Sequence, residues 1–312
     1  MRSPKMVSQL SSLSRLSERY PKKRAFITGA GSGLGLAFAK ELALNGWTIA
    51  LTDIHQHLLD EAATIISSIG GTPYTYKFDV TEYEAFRSAI NSFTESVGGI
   101  DLGINNAGVG CAGLIDEQPI EHFRKVIDIN LMGVVNGCHL FVPVMMQQKK
   151  GHILNVASAA AFAAVPRMAA YNISKAGVFA LSETLRAELE AKGILISVLA
   201  PTYIRSNLGR DSLGLPEDRL RAQIMVGESQ LTPEQVAKEA LQKVQDKQLY
   251  IVLPEDAKFL WRFKRFFPNQ YVHYINLLVA QKEVQFQREI KKRQRAGYLP
   301  EHKHEEARLS RG

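Results

Sequence analysis

RAFITGAGSGLGLAFAKEL, residues 24–42, passes within nineteen residues from a short apolar run through a glycine-punctuated turn into a helical pattern. Glycines between a strand and a helix let the backbone turn tightly, approach a bound pyrophosphate and pack the helix close to the strand. The helix N-terminus then favours an anion. Gly29, Gly31, Gly33 and Gly35 do not fall on the strict G-x-G-x-x-G spacing. Residues 28–35 alone therefore admit two readings, a phosphate-binding turn or a tight strand–helix connection. No Lys-Ser/Thr follows the glycines, which excludes an ATPase P-loop.

The same alternation continues outward from this stretch. RAFIT, TIALTD, YTYKFDV, IDLGINN, HILNVAS, ILISVLAP and LYIVLP are strand candidates, short and apolar on both faces, as parallel strands covered by helices are. Amphipathic stretches fill the gaps, including a long one around IEHFRKVIDINLMGVVNGCHLFVPVMMQQ, and several end in Gly. This βαβ rhythm predicts an α/β fold over residues 22–254: a Rossmann-type, doubly wound parallel sheet of about seven strands with helices on both faces. Residues 1–21 are expected to be a disordered arm. Residues 255–312 are expected to be a basic, aromatic-rich helical extension and tail. Residues 202–230, punctuated by Gly and Pro after a strand, are expected to form a substrate lid at the carboxyl edge of the sheet.

The net charge of +7 is unevenly spread. Residues 1–24 carry seven Lys/Arg and one Glu, and residues 255–312 thirteen Lys/Arg and seven Asp/Glu. Each end is thus +6, leaving −5 for residues 25–254. An acidic globule between basic ends explains the high pI without implying a nucleic-acid surface, and no nucleic acid is expected as a partner. Two cysteines, Cys111 and Cys138, cannot make a disulfide framework, so both are expected to be reduced, buried thiols of a cytoplasmic protein. His122, His139 and His152 show no metal-ligand spacing, and no metal is expected. No uninterrupted apolar run reaches the roughly 18 residues of a membrane span, and SQLSSLSRLSERY lacks the apolar core of a signal peptide.

Asp53 ends the second strand candidate about 20 residues beyond the glycines, where a carboxylate can accept from an adenosine ribose. A 2′-phosphate there would be repelled, and no Arg or Lys sits nearby. NAD is therefore expected, with NADP as the alternative; the bland reading is a turn-forming Asp. YNISK, residues 171–175, sets a phenol and an ammonium one helical turn apart. A phenol is a poor base at neutral pH, and a cation on the same face should lower its pKa. Tyr171 and Lys175 thus make a plausible acid/base device, though helices often carry such a pair.

Taken together, TGAGSGLG after the first strand, NNAG (105–108) after the fourth, Asn130 in the long helix, Ser158 thirteen residues before Tyr171, and YNISK resemble the short-chain dehydrogenase/reductase family, in its branch of small stand-alone NAD(P)-dependent oxidoreductases. The resemblance covers about residues 22–254. It implies Tyr171 as proton donor or acceptor to the substrate oxygen and Lys175 as partner of that phenol and of the nicotinamide ribose. Ser158 would hydrogen-bond the reacting oxygen, and Asn130 would hold a water in a proton relay. Thr28, Gly29, Ser32, Gly33 and Leu34 would form the pyrophosphate turn. Asp53 would take the ribose, Asp79 and Val80 would flank the adenine, and Asn106, Ala107 and Gly108 would line the adenosine side. Pro201, Thr202 and Ile204 would pass the nicotinamide. The family's Pro-Gly is Pro201-Thr202 here, placing a β-branched side chain where glycine would allow close approach, though Ile204 and Ser206 still offer contacts. Gly103 replaces a branched residue in the fourth strand.

The stretch 159–166 is uncharged, and Leu208, Leu213, Leu215, Ile224 and Met225 in the lid are apolar, which points to a lipophilic secondary alcohol or ketone. Arg205 and Arg210 leave room for an acidic group at the rim. The expected activity is hydride transfer between a nicotinamide cofactor and that substrate. The alternative is a catalytically silent dinucleotide-binding scaffold or sensor. The resemblance also implies a homodimer or homotetramer with the Asn130 and Tyr171 helices at the interface. In residues 258–295, Phe259, Phe263 and Phe266 share a helical face with Leu260 and Phe267, bordered by Arg262, Lys264 and Arg265, until Pro268 breaks the run. A peripheral anchor on an anionic membrane surface and a helix packed over the sheet or a second subunit both account for it.

Overall fold

The structure, a computed structural model, describes residues 13–205, 212–255 and 257–295. The seven strands are β1 (Arg24–Thr28), β2 (Thr48–Asp53), β3 (Thr72–Lys77), β4 (Leu102–Asn105), β5 (Gly151–Val156), β6 (Ile194–Pro201) and β7 (Tyr250–Leu253). They pair in parallel in the order β3-β2-β1-β4-β5-β6-β7. The order reverses between β1 and β4, where a doubly wound sheet opens a crevice at its carboxyl ends.

The helices are α1 (Ser14–Arg19), α2 (Gly33–Leu44), α3 (Gln56–Ser68), α4 (Tyr83–Val97), α5 (Ile120–Ile127), α6 (Gly133–Gln148), α7 (Ala160–Ala163), α8 (Ala169–Leu189), α9 (Pro216–Gly227), α10 (Pro233–Gln245), α11 (Ala257–Phe266) and α12 (Pro268–Arg295). Side-chain alternation divides the core in two. Ala25, Ile27, Ile49 and Leu51 pack against α2, α3 and α10, while Phe26, Ala50 and Ile153 pack against α4, α6 and α8. The central strands β1, β4 and β5 are buried along their whole length, as a sheet covered on both faces requires.

The third strand departs from expectation. It starts at Thr72, admits Pro73 because it is an edge, and ends at Lys77. Phe78, Asp79 and Val80 therefore lie in the loop beyond it. Gly103 also has a structural reason: a Cβ there would lie 2.6 Å from the Phe141 ring, which stacks edge-on against Phe26 at 5.6 Å.

The N-terminal arm is corrected over its described part. Leu13, Leu16 and Tyr20 are buried against the core. Leu16 N–H donates to Gln245 Oε1 at 3.3 Å, and the Tyr20 hydroxyl donates to the Gly151 carbonyl at 3.0 Å. Their spacing of three and four residues is that of a helix face; polar Ser and Arg around them masked it. Residues 1–12 lie outside the described residues.

Ile120–Gln148 is one continuous helical run and is apolar enough in composition to cross a membrane. It instead buries Val134, Gly137, Cys138, Phe141 and Met145. The search for an uninterrupted apolar run missed it because Asn130, Asn136 and His139 interrupt its apolar residues.

Candidate active site

Thr28 leaves β1 and its hydroxyl accepts from the backbone N–H groups of Asn106 (2.9 Å) and Ala107 (3.1 Å). The Asn106 side-chain amide donates to the carbonyls of Thr28 and Gly29, each at 3.0 Å. The glycine turn and the loop after β4 are thus laced together through the Thr28 and Asn106 side chains. Gly29 sits at φ 64°, and a Cβ on it would lie 2.9 Å from Ala107 Cα. A Cβ on Gly35 would lie 2.1 Å from the Gly29 carbonyl oxygen, so the start of α2 touches the turn. Ser32 is the N-cap of α2, yet its side chain makes no capping bond. The first amides of the helix are thus left without a side-chain cap, an arrangement that suits an anion.

Asp53 Oδ2 accepts from Gly31 N–H at 3.2 Å, and Oδ1 from His55 N–H at 3.0 Å. A carboxylate is thereby fixed at the far side of the glycine turn. The parallel register sets Lys77 of β3 opposite Asp53, which corrects the expectation that no cation lies close. Sequence distance hid this neighbour. Asp79 Oδ1 accepts from the Thr81 backbone and hydroxyl at 2.9 and 2.8 Å, and the Val80 carbonyl accepts from Asn136. These bonds hold the 78–81 loop next to Asp53, whose carbonyl accepts from Phe78 N–H. Thr28, Gly29, Asp53, Asn106, Ala107 and the 78–81 loop are thus held together at the carboxyl ends of β1, β2 and β4, with a glycine turn that a side chain would fill.

Asn130 sits in a π-helical turn, Asp128–Met132, joining α5 to α6. Such turns widen the helix by one residue and recur at functional sites. Asn130 is fully buried. Its Oδ1 accepts from Val109 N–H at 2.8 Å, and its Nδ2 donates to the Val109 carbonyl at 2.9 Å and the Ser174 hydroxyl at 3.4 Å. A Cβ on Gly108 would lie 3.0 Å from Asn130 Oδ1 and 3.6 Å from Lys175 Nζ. Asn130, Gly108 and Lys175 therefore share one small space. Ser174, Val109 and Val156 are members of it that the sequence did not single out; Ser174 stands three residues along the α8 face from Tyr171.

Lys175 Nζ donates to the Val156 carbonyl at 3.0 Å and lies 5.7 Å from the Tyr171 ring centroid. Burial pushes its pKa down to about 8. Burial also pushes the Tyr171 phenol up to about 12, while a hydrogen bond from Ser158 pulls the other way and the Tyr203 phenol adds to the rise. The shift runs opposite to the lowering expected from Lys175: burial dominates it, and the ammonium is turned to the Val156 carbonyl. Ser158 Oγ also accepts from Ala160 N–H at 3.1 Å, which fixes the hydroxyl at the end of β5.

Around Tyr171 the walls are apolar: Cys111, Val126, Ala160 and Ala170, with Phe123, Met168 and Leu213 at the rim. Of the 159–166 stretch, Ala160 belongs to this wall, while Ala159, Phe162 and Ala163 face the packing beneath α11. Leu213 bridges to Cys111, bringing the chain around residues 212–214 beside the Tyr171 wall. Leu215 is exposed, and Ile224 lies in a groove between α9 and α12. Ser206, Leu208 and Arg210 lie outside the described residues. Arg205 donates to the Ser229 carbonyl at 3.1 Å.

Thr202 N–H donates to the Leu253 carbonyl at 2.8 Å, and its backbone is not left-handed. A β-branched residue is therefore accommodated where the family carries glycine. Pro201 accepts Ala159 N–H at 2.8 Å, and Ile204 packs on the core. Arg167, at φ 65°, pairs with Glu117 and the buried Asp218, which Arg221 also holds. This ion cluster joins the loops around Tyr171 to α9 and was not visible in the sequence. Cys111 and Cys138 are both free and buried.

A sequence profile described as short chain dehydrogenase matches residues 23–213. Over 253 residues the chain is 34% identical to the probable oxidoreductase EphD of Mycobacterium tuberculosis, covering 78% of this chain and 43% of that protein. The chain thus spans less than half the length of the mycobacterial relatives it matches. It is 33% identical over 194 residues to the cyclohexanol dehydrogenase of an Acinetobacter species, covering 62% of this chain and 77% of that one. Among solved structures, a short chain dehydrogenase/reductase from Burkholderia phymatum in complex with NAD superposes with a TM-score of 0.75 at 28% identity, over 78% of this chain and 92% of that chain.

Proposed function

The chain belongs to the short-chain dehydrogenase/reductase family, and on that premise we propose that it transfers a hydride between NAD and a lipophilic secondary alcohol or its ketone. The observation that carries the proposal is the Tyr171 phenol, buried beside Ser158, one turn from a buried Lys175 and enclosed by apolar side chains. The nicotinamide supplies the hydride acceptor or donor; the residues manage one proton and the alignment. Tyr171 Oη gives a proton to the substrate oxygen in reduction and takes it in oxidation. Ser158 holds that oxygen. Lys175, Asn130 and the Val109 backbone hold the far side of the phenol and bind a ribose or relay a proton.

The apolar wall supports a lipophilic substrate, as does similarity to an enzyme named for cyclohexanol. The Asp53 carboxylate supports NAD over NADP, as does the NAD held by the Burkholderia protein; Lys77 beside Asp53 keeps NADP the alternative. Exposed Met132, Met146 and Ile173 on the helical run from α5 to α6 and on α8 support self-association through those helices. NADH formation from NAD with a panel of apolar secondary alcohols tests the activity. Turnover should fall by about 10²–10⁴-fold in Tyr171→Phe while NADH binding survives. Short sugars turning over better than apolar alcohols would overturn the substrate class. Bound NADH without turnover of any alcohol would favour a silent scaffold.

A further inference from the structure

The helical pair α11–α12 has an anchored face and a bare one. Trp261 stands 6.2 Å ring to ring from Phe162 and 5.0 Å from Tyr250. The Tyr271 hydroxyl donates to the Ala163 carbonyl at 3.0 Å, and Ile275 and Ile290 are buried. These contacts fix which side looks outward. There, the rings of Phe259, Phe267 and Tyr274 surround Phe263 at 5.8, 6.0 and 5.9 Å. Phe259 is 66% exposed and Phe267 53%, with Phe266 beside them at 70%. Leu277, one turn beyond Tyr274, is exposed as well. Isolated exposed apolar residues are ordinary, but a contiguous cluster of aromatics marks a contact surface.

Its charge says which contact. Residues 257–295 carry ten Lys/Arg against Glu283 and Glu289, a net of +8. Glu283 is held by Arg221 at 2.5 Å, and Glu289 is engaged as well. Residues 25–254 carry −5. We propose that α11–α12 docks on an anionic lipid surface, its rings in the interface and its cations on the headgroups. A second copy of the chain would bring the same +8 into the contact and be repelled. An anionic bilayer answers both the apolar cluster and the cations, and it repels the acidic body outward.

Docking does not depend on the identity of the substrate. Its position bears on access, however. Arg221 of α9 binds Glu283 of α12, and Lys282 Nζ lies 3.6 Å from Met225 Sδ. The wall of the Tyr171 site is therefore tied to the docking element, beside the bilayer from which an apolar substrate would arrive.

The test is co-sedimentation of the full-length protein with vesicles of phosphatidylcholine containing phosphatidylglycerol, against pure phosphatidylcholine vesicles, at low and at raised salt. Anionic vesicles should bind the protein at least about tenfold more tightly, and salt should weaken binding. Phe266→Ser, which has no ring partner among the described contacts, and the double change Arg262→Glu with Arg265→Glu should each reduce binding about tenfold or more. Thermal midpoint and NADH binding should stay unchanged in both. Three outcomes would each overturn the proposal: absence of sedimentation with anionic vesicles, sedimentation that neither variant alters, or wild-type self-association that the variants abolish. Failure of every alcohol to turn over would leave the sedimentation result intact and count only against the proposed activity.

Discussion

Arg167 closes on Asp218 from a left-handed backbone: its Nε and Nη2 lie 2.9 and 2.8 Å from Asp218 Oδ1, and that carboxylate is 1% exposed. Arg221 reaches the same oxygen at 3.2 Å and continues to Glu283 on α12. Removing one partner of a buried ion pair costs about 3–5 kcal/mol; Arg167 is a quarter exposed, so the lower end applies. Asp218→Asn should therefore lose about 3 kcal/mol in denaturant unfolding. Because the cluster holds the wall of the Tyr171 site and not its phenol, KM should rise more than kcat falls. A kcat loss with KM unchanged would count against this placement.

The proton chemistry should show in different pH profiles for the two directions. With the Tyr171 phenol pushed up to about 12, its basic form grows with each step of pH through the neutral and alkaline range. Alcohol oxidation should accordingly climb with pH, at most about tenfold per unit. Ketone reduction uses the protonated phenol and should stay level until strongly alkaline conditions. Loss of the Lys175 proton near pH 8 should put an inflection in the oxidation profile, and Lys175→Met should remove that inflection.

Asp53 should set the cofactor. Asp53→Asn keeps an acceptor for Gly31 N–H but removes the charge that repels a 2′-phosphate. The preference for NAD over NADP should fall by roughly tenfold or more, about 1.4 kcal/mol. Lys77→Ala in that background should undo part of the gain, since register puts this cation beside position 53. Steady-state kinetics with both cofactors measures the ratio.

His152 should make the fold acid-sensitive. Its Nε2 lies 2.8 Å from Ser197 Oγ, whose proton goes to the Gln248 carbonyl at 2.6 Å. Nε2 is therefore the donor, and Nδ1 is buried without a partner. Burial holds its pKa down at about 3 against an ordinary 6.5. As pH falls from 6.5 towards 3, the unfolded chain takes up a proton that the folded chain refuses. Stability present above 6.5 is lost at up to about 1.4 kcal/mol per pH unit. His152→Gln retains a donor to Ser197 without titrating, and its thermal midpoint should decline less between about pH 7 and 5.

The doubly wound sheet was legible because parallel strands buried on both faces leave continuous apolar runs, and Tyr171, Lys175, Ser158 and Asn130 could be singled out as candidates because they stand in the order of the family's motifs. What escaped was set by contacts between distant elements. Lys77 is set opposite Asp53 by strand register, and Arg167 reaches Asp218 through folding of two loops. The direction of the Tyr171 shift escaped for a different reason: spacing reveals a neighbouring charge but not the depth at which both groups are buried. Leu13 and Leu16 carried a helical signal that polar neighbours obscured.

Gly103 and Phe141 carry one further consequence. A single Cβ at position 103 would strike the ring that completes the aromatic packing around Phe26. The two positions are thus one choice of volume divided between a strand and a helix. Relatives bearing a branched residue at the first should bear a smaller one at the second, so this pair should drift together through the family as a correlated exchange that never touches the chemistry.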